Sequence, residues 1–359
     1  MYPHLEKSAL LVVLCFLQLA GFTHGQLKNV ITKATGEAQT IFYDGLERYF
    51  RIHVPNQISP TLSVVIFLHG RFGTAAQASK LGLTETADKH GFIVVYPDGI
   101  NMHWNDGRKS CPFLKRDKDV DDVGFVAALT KQIAQQYQIS NDRCFLFGLS
   151  NGGFMCQRLA AERPELFAAM GMIGAAMLQS KVADFSPPLP VSMIFFNGTD
   201  DPIVPYSGGE LTPGFFSNWK KNRQRNKLRN TNSNSPVDSV GMLSNWKQHR
   251  KKKQESDPCA STESTVRLWL ERNGLESESL DFRRMVDTKN DDGCHIERHL
   301  WTQGEMGTAV ALYKIVGGGH NLPGMKPYLP KCTIGKTNQD IDGWEIAWQF
   351  FDNHGRRQR

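Results

Sequence analysis

The sequence has little long apolar structure, no internal repeat, and no cysteine–histidine spacing of the zinc type. Each absence narrows what the chain does. Only one run is apolar for any length, Ala9 to Phe22 (ALLVVLCFLQLAGF), and it is short for a bilayer span. It follows a polar start carrying Lys7 and leads into Thr23-His24-Gly25, so residues 1–25 have the form of a secretory signal peptide cleaved near Gly25. The competing reading is an uncleaved membrane anchor. With no zinc spacing, no structural metal is expected, and no repeat means no solenoid or propeller. Cysteine is sparse. Removing the leader takes Cys15 with it and leaves six: Cys111, Cys144, Cys156, Cys259, Cys294 and Cys332. An even number in a secreted chain permits disulfides. Cys144 on an apolar strand and Cys156 on a helix read equally as buried free thiols. The loop cysteines Cys111, Cys259, Cys294 and Cys332 are the better bridge candidates.

Acidic residues are nearly missing from one region. Between Asn218 and Gln254 stand eleven Lys and Arg against the single acid Asp238. That net +10 sits in a chain of formal charge +6, so the remainder is net −4. The basicity belongs to one polar stretch and not to the globular body. Residues 212–258 show neither helical nor strand period and read as a disordered or loosely held insertion on one loop. Residues 26–359 otherwise form a single domain.

What is present is an alternation of buried strands and amphipathic helices. QTIFYDGLERYFRIHVP reads as a β-hairpin about Asp44-Gly45. SVVIFLHG reads as a strand buried on both faces, CFLFG and VSMIFFNG as further buried strands, and FIVVYPDG and AVALYKIVGGGH as strands, the last running into glycines. Helices are predicted around Ala75–Lys89, after Asp121 or Asp122, after Ser150, through STVRLWLERNG, and from Asp340 with Ile341, Trp344, Trp348 and Phe351 inward. The pattern predicts an α/β fold: a mostly parallel open sheet with helices on both faces and antiparallel strands at one edge.

Three glycines, Gly148, Gly152 and Gly153, crowd one serine in GLSNGG. Gly148 to Gly152 fits G-x-S-x-G at a strand-to-helix turn, where close backbone approach leaves no room for side chains. Such a turn lifts a hydroxyl clear of the sheet. A serine hydroxyl needs a base. In this sheet class an acid and then a histidine follow the serine in the chain. His320 follows a strand and three glycines (VGGGHNLPG). NGTDDPIVPY leaves a strand between the two and offers Asp200 and Asp201. Asp201 is preferred because Pro202 fixes the backbone beside it, with Asp200 the runner-up. The backbone amide of Asn151, and that of Arg71 after SVVIFLHG, are candidate oxyanion donors. The sequon Asn197-Gly198-Thr199 lies at a buried strand end and is expected to be unused.

Taken together, VVIFLHG, VVYPDGI with HWNDG, DVDDVGFVAAL, GLSNGGFMCQRLA, NGTDDPIVPYSGG, STVRLWLERNG, VALYKIVGGGHNLPG and DIDGWEIAWQFF resemble the secreted polyhydroxybutyrate depolymerase and feruloyl esterase group of serine esterases, which also includes acetylxylan esterases. The resemblance covers most of residues 39–354 apart from the insertion. It implies an α/β-hydrolase fold with Ser150, Asp201 and His320 as a catalytic triad, and no cofactor. Trp104 and Asn105 are expected to line the substrate site. So is Leu322, which stands where the family usually has tryptophan. The loop after Gly70 begins Arg71-Phe72, where the family is often rich in Gly, Ser and Cys. The expected substrate is an ester, small, polysaccharide-linked or polyester. No specific nucleic-acid partner is expected, and no membrane once the leader is removed. The alternative function is a non-catalytic binding protein on a hydrolase fold, its basic insertion holding anionic polymers weakly.

Overall fold

Ten strands form one sheet in the order β1-β2-β4-β3-β5-β6-β7-β10-β9-β8. The computed structural model describes residues 36–108, 119–211, 257–276, 280–289 and 291–355. The leader and Cys111 lie outside these residues, as do residues 212–256 of the insertion. Among the described residues no helix is long and apolar enough to cross a membrane.

The hairpin forms one edge. β1 (Ala38–Tyr43) and β2 (Leu46–His53) pair antiparallel about Asp44 and Gly45, whose φ angles of 48° and 74° are the two left-handed positions such a turn requires. β2 then pairs antiparallel with β4 (Ile93–Pro97). The centre is parallel: β4, β3 (Val64–Leu68), β5 (Cys144–Leu149), β6 (Ala169–Ile173), β7 (Ser192–Gly198) and β10 (Val310–Val316). Strands β3 to β7 are buried at every position, as their unbroken apolar runs require of a sheet covered on both sides. The far edge is antiparallel, with β9 (His295–Trp301) and β8 (Leu280–Arg284). β6, β8 and β9 are additions to the strands that the pattern predicts.

Two apolar clusters flank the sheet. One packs α2 (Asp122–Tyr137), α3 (Asn151–Glu162) and α4 (Thr262–Arg272) through Val126, Leu159 and Trp269. The other packs α1 (Leu83–His90) and α5 (Gly343–His354) through Leu83, Trp344 and Phe351. Helices therefore cover both faces, as the α/β-hydrolase architecture has it. Asp121 caps α2, accepting from the Gly124 amide at 2.8 Å. Asp342, not Asp340, caps α5 by accepting from the Trp344 and Glu345 amides. Asp340 instead accepts from the Thr288 and Lys289 amides and ties a neighbouring loop.

The described residues on either side of the insertion come together. Gly209 and Cys259 pair through two backbone hydrogen bonds of 2.8 and 2.9 Å. The bridging expectation for the loop cysteines is not met among the described residues: Cys259, Cys294 and Cys332 are free, as are Cys144 and Cys156. Cys259 and Cys294 are buried beside backbone carbonyls, while Cys332 is exposed. Burial pushes the Cys144 thiol up to about 12 and the Cys156 thiol well up too, which makes both unreactive.

Candidate functional site at the carboxyl rim of the sheet

The loops that leave β5, β7 and β10 each carry one of the expected residues. Because the strands run parallel, Ser150, Asp201 and His320 all emerge at the same rim. Ser150 sits between β5 and α3 with φ 54° and ψ −117°, a sparsely populated conformation for a residue with a side chain. Its side chain makes no cap hydrogen bond to α3, and its amide donates to Ile173 O at 2.8 Å. The glycines permit this turn: a Cβ at Gly148 would collide with the Gly152 carbonyl, and one at Gly152 with the Leu68 and His69 carbonyls.

Asp201 and His320 form a buried pair. Asp201 Oδ2 lies 2.6 Å from His320 Nδ1, with both side chains about 1% exposed. The other carboxylate oxygen accepts from the Ile203 and Val204 amides at 2.8 and 2.9 Å. Three bonds therefore fix the carboxylate. It accepts only, so Nδ1 carries the proton and Nε2 of the neutral ring is left as an acceptor. Nε2 is buried and has no hydrogen-bond partner. The histidine backbone is also held, its amide donating to Ile334 O and its carbonyl accepting from Tyr328 Oη. Asp200, the runner-up acid, is exposed; its amide donates to Gly318 O and its side chain accepts from the Thr199 hydroxyl. The structure thus brings Asp201 and not Asp200 to the imidazole. It does not form the Ser150–His320 hydrogen bond.

Gly174, at the end of β6, bridges the two halves of this arrangement. It has φ +56°, and a Cβ there would lie 2.5 Å from His320 Nδ1 and 3.3 Å from Asp201 Oδ2. The imidazole therefore rests on the β6 terminus, next to the residue that accepts from the Ser150 amide. Gly174 lies inside AAMGMIGAAM, a small-residue run without strand character, and nothing in the sequence singles it out.

Asn151 opens α3, so its amide is among the first-turn donors without an intrahelical acceptor. Its side chain is buried and fully committed. Oδ1 accepts from the Trp104 amide at 2.7 Å, and Nδ2 donates to Trp104 O at 3.1 Å and Asp106 Oδ2 at 2.7 Å. Asp106 in turn pairs with Arg108. Arg71 lies in the turn after β3, beside Gly70, where a Cβ would touch Ser150 Cβ at 3.5 Å. That places the Arg71 loop against the serine.

The three residues expected to contact substrate sit elsewhere. Trp104 is wholly buried, its indole N–H donating to His69 O at 2.9 Å. It props the His69 loop against α3 and offers no surface to a ligand. Asn105 turns its side chain away, donating to Val120 O at 2.9 Å, while its amide donates to Asp122 Oδ2. Leu322 is fully buried in the cluster with Trp344, and a Cβ at Gly343 would press on it. Their nearness in sequence to the motifs does not set side-chain direction. Phe72, two residues after Gly70, and Met102 are apolar side chains 65% and 47% exposed and joined by the Phe72 amide donating to Met102 O. Phe72 belongs to the Arg71-Phe72 loop expected beside the site; Met102 was not anticipated. His69, the other strand-end histidine, is occupied, accepting from the Gly99 amide and bonded to Gly70 O. Burial lowers its pKa and keeps it neutral. Asn197 is buried and its Nδ2 donates to Ala175 O. Among the described residues no group of three His, Cys, Asp or Glu side chains is placed to hold a metal ion.

The chain is similar to known proteins over much of this architecture. The phospholipase/carboxylesterase family profile matches residues 51–249, more than half of the chain. The protein NocK of Nocardia uniformis subsp. tsuyamanensis, which carries an esterase name, is 25% identical over 329 residues, covering 90% of this chain and 84% of that one. Feruloyl esterase B of Neurospora crassa is 34% identical over 118 residues, 33% of this chain and 40% of the relative. An acetylxylan esterase of Coprinopsis cinerea is 30% identical over 123 residues, 33% of this chain and 32% of the relative. The chain spans less than half the length of the two fungal proteins. From the family match and the sheet that carries the serine turn, the chain belongs to the phospholipase/carboxylesterase family of α/β-hydrolases.

Proposed function

We propose that this protein is a secreted serine ester hydrolase working through Ser150, His320 and Asp201. The observation that carries the reading is the buried Asp201–His320 pair, which leaves Nε2 bare at the rim where the strained Ser150 turn sits. The Ser150 hydroxyl turns onto Nε2 as substrate binds, since such hydrogen bonds tighten in the substrate complex. Nε2 takes the hydroxyl proton while Oγ attacks the ester carbonyl. Asp201 holds the tautomer and stabilises the imidazolium. The amides of Asn151 and Arg71 receive the oxyanion, each such donor contributing about 2.7–4 kcal/mol to the transition state. The C–O bond to the leaving alcohol breaks as His320 returns the proton to it. Water, deprotonated by the same nitrogen, then hydrolyses the acyl-enzyme and restores Ser150.

The feruloyl and acetyl esters in the names of the fungal relatives make plant-wall esters the first substrate class, with short hydroxyalkanoate polyesters next. Phe72 and Met102, exposed beside the oxyanion loop, supply an apolar surface for an aromatic acyl group. Ser150→Ala is expected to abolish hydrolysis of p-nitrophenyl acetate and labelling by a fluorophosphonate, with the fold intact by circular dichroism. Full activity in that variant would end the proposal. Side-by-side assays on methyl ferulate, acetylated xylan and hydroxybutyrate oligomers rank the substrates.

A further inference from the structure

The two amides assigned to the oxyanion belong to different elements. Asn151 opens α3, and Arg71 lies in the turn after β3. Residues 99–106 bridge the two. Toward the β3 turn, the Gly99 amide donates to His69 Nε2 at 3.0 Å and the Trp104 indole N–H donates to His69 O at 2.9 Å. The Phe72 amide donates to Met102 O at 2.7 Å. These bonds grip the chain on both sides of Arg71. Toward α3, the Trp104 amide donates to Asn151 Oδ1 at 2.7 Å, and Asn151 Nδ2 donates to Trp104 O at 3.1 Å and to Asp106 Oδ2 at 2.7 Å. Trp104, wholly buried, thus bonds to both donor segments. The loop is also closed on itself, since a Cβ at Gly99 would collide with the His103 carbonyl.

Asp106 anchors this bracket to the helix. It is 4% exposed, and Arg108 Nε donates to its two carboxylate oxygens at 2.8 and 3.0 Å. The Arg108 guanidinium lies 5.0 Å from the centre of the Phe154 ring, so the cation rests on the same helix that Asn151 opens. The carboxylate accepts only, so it draws Nδ2 of Asn151 to its side and leaves Oδ1 for the Trp104 amide. Asp106 and Arg108 together are neutral. They fix Asn151 without setting a net charge beside a developing oxyanion. We propose that Asp106 is a positioning residue for ester hydrolysis: by locking the Asn151 side chain to the 99–106 loop, it sets the spacing of the Asn151 and Arg71 amides to fit one oxyanion. The inference rests on the serine esterase reading above and adds a residue to it. An oxyanion exists only on the way through the transition state, so a defect in this spacing lowers kcat and leaves KM alone.

The test compares Asp106→Asn with Arg158→Met in the full chain. Arg158 donates to Asn105 O at 2.7 Å and so pins the same loop, but it bonds to neither Asn151 nor His69. Two readouts are taken: kcat and KM for p-nitrophenyl acetate, and inhibition by an aryl trifluoromethyl ketone, which forms a tetrahedral oxyanion on the serine. In Asp106→Asn, kcat should fall by about 10- to 100-fold with KM within about twofold of wild type. The ketone should bind more weakly by the same factor. Arg158→Met should stay within about twofold in both readouts. Wild-type kcat and ketone affinity in Asp106→Asn overturn the proposal, as does a raised KM at unchanged kcat, or an equal fall in Arg158→Met. If Asp106→Asn unfolds, Trp104→Phe, which keeps a ring but loses the bond to His69 O, decides by the same two readouts. Hydrolysis that survives in Ser150→Ala would overturn the serine reading and this inference with it. An inactive Ser150→Ala beside an unchanged Asp106→Asn would overturn this inference alone.

Discussion

Gly174 shows what one missing side chain contributes. Its φ of +56° disfavours any residue with a Cβ, and a methyl there would enter the imidazole of His320. Gly174→Ala is therefore expected to push the ring off the Asp201 carboxylate. Displacement of about 1 Å at a reacting centre costs about 10²-fold in rate, so kcat for p-nitrophenyl acetate should fall by about that factor. A wild-type rate would show that the ring does not act from this position. Asp201→Asn leaves the shape unchanged but cannot enforce the Nδ1–H tautomer. Loss of up to about 10⁴-fold in kcat is expected, against little change for Asp200→Asn, whose side chain is exposed and does not touch His320. Ser150 directly follows a buried apolar run, and Asp201 and His320 stand on the loops that leave two others, which made all three legible as candidates, since strand ends are where this sheet class does its chemistry. Gly174 was not, since a glycine in an alanine- and methionine-rich run announces neither strand nor site. Trp104, Asn105 and Leu322 were misplaced because a motif names neighbours in sequence, whereas hydrogen bonds to His69 O and Val120 O direct the first two side chains and packing in the cluster with Trp344 directs the third.

Elements are held to one another by a few polar ties whose removal is measurable. Arg48 on β2 and Asp122 at the start of α2 form an ion pair of 2.7 Å with both side chains about 1–2% exposed. The guanidinium also stacks 3.7 Å over Phe125, and the carboxylate holds the Asn105 amide. Burial pushes the Asp122 carboxyl up although Arg48 draws it down. Arg48→Met would leave that carboxylate without its cation. Breaking one partner of a buried pair costs about 3–5 kcal/mol, which urea unfolding should register; a loss under 1 kcal/mol would contradict the pairing. α5 is tied to α1 by Glu345. Burial would raise its carboxyl, but hydrogen bonds from His90, Lys89 and Gln349 prevail and hold it at about 2, against an ordinary 4.5. A depressed carboxylate stabilises the fold above its unfolded value and loses that contribution as pH falls toward the folded one. Thermal stability should therefore drop from about pH 4.5 to 2, and less steeply in Glu345→Gln. Parallel slopes would contradict the assignment. The strands legible in the sequence are those whose apolar runs are unbroken and the two that alternate about the Asp44-Gly45 turn. β9 escaped because HIERHLW, paired between β10 and the edge strand β8, is only partly buried and carries charge, and β6 because Ala, Gly and Met carry little strand preference.

On the scale of the whole molecule, charge and fold are separable. The basic stretch holds a net +10 between Asn218 and Gln254, while the rest of the chain is net −4. Among the described residues that flank it, Gly209 and Cys259 meet in a two-bond bridge, and Cys259 leads at once into α4, whose cap Ser261 accepts from the Ser264 amide. Closing a loop whose ends already touch costs little, and the cost grows only slowly with its length. Replacing residues 212–256 by a short Gly-Ser linker should therefore leave the sheet, the Asp201–His320 pair and ester hydrolysis in place. It should also turn a basic protein into an acidic one. If the stretch binds anionic polymers, the intact chain will be retained on a heparin column and released by salt, because screening shortens the reach of exposed charge to about 8 Å at physiological ionic strength. The shortened chain should pass through. Equal retention of the two proteins would place any anion binding on the globular body, and loss of ester hydrolysis on shortening would show that the stretch serves the catalytic site and is not a separable charge.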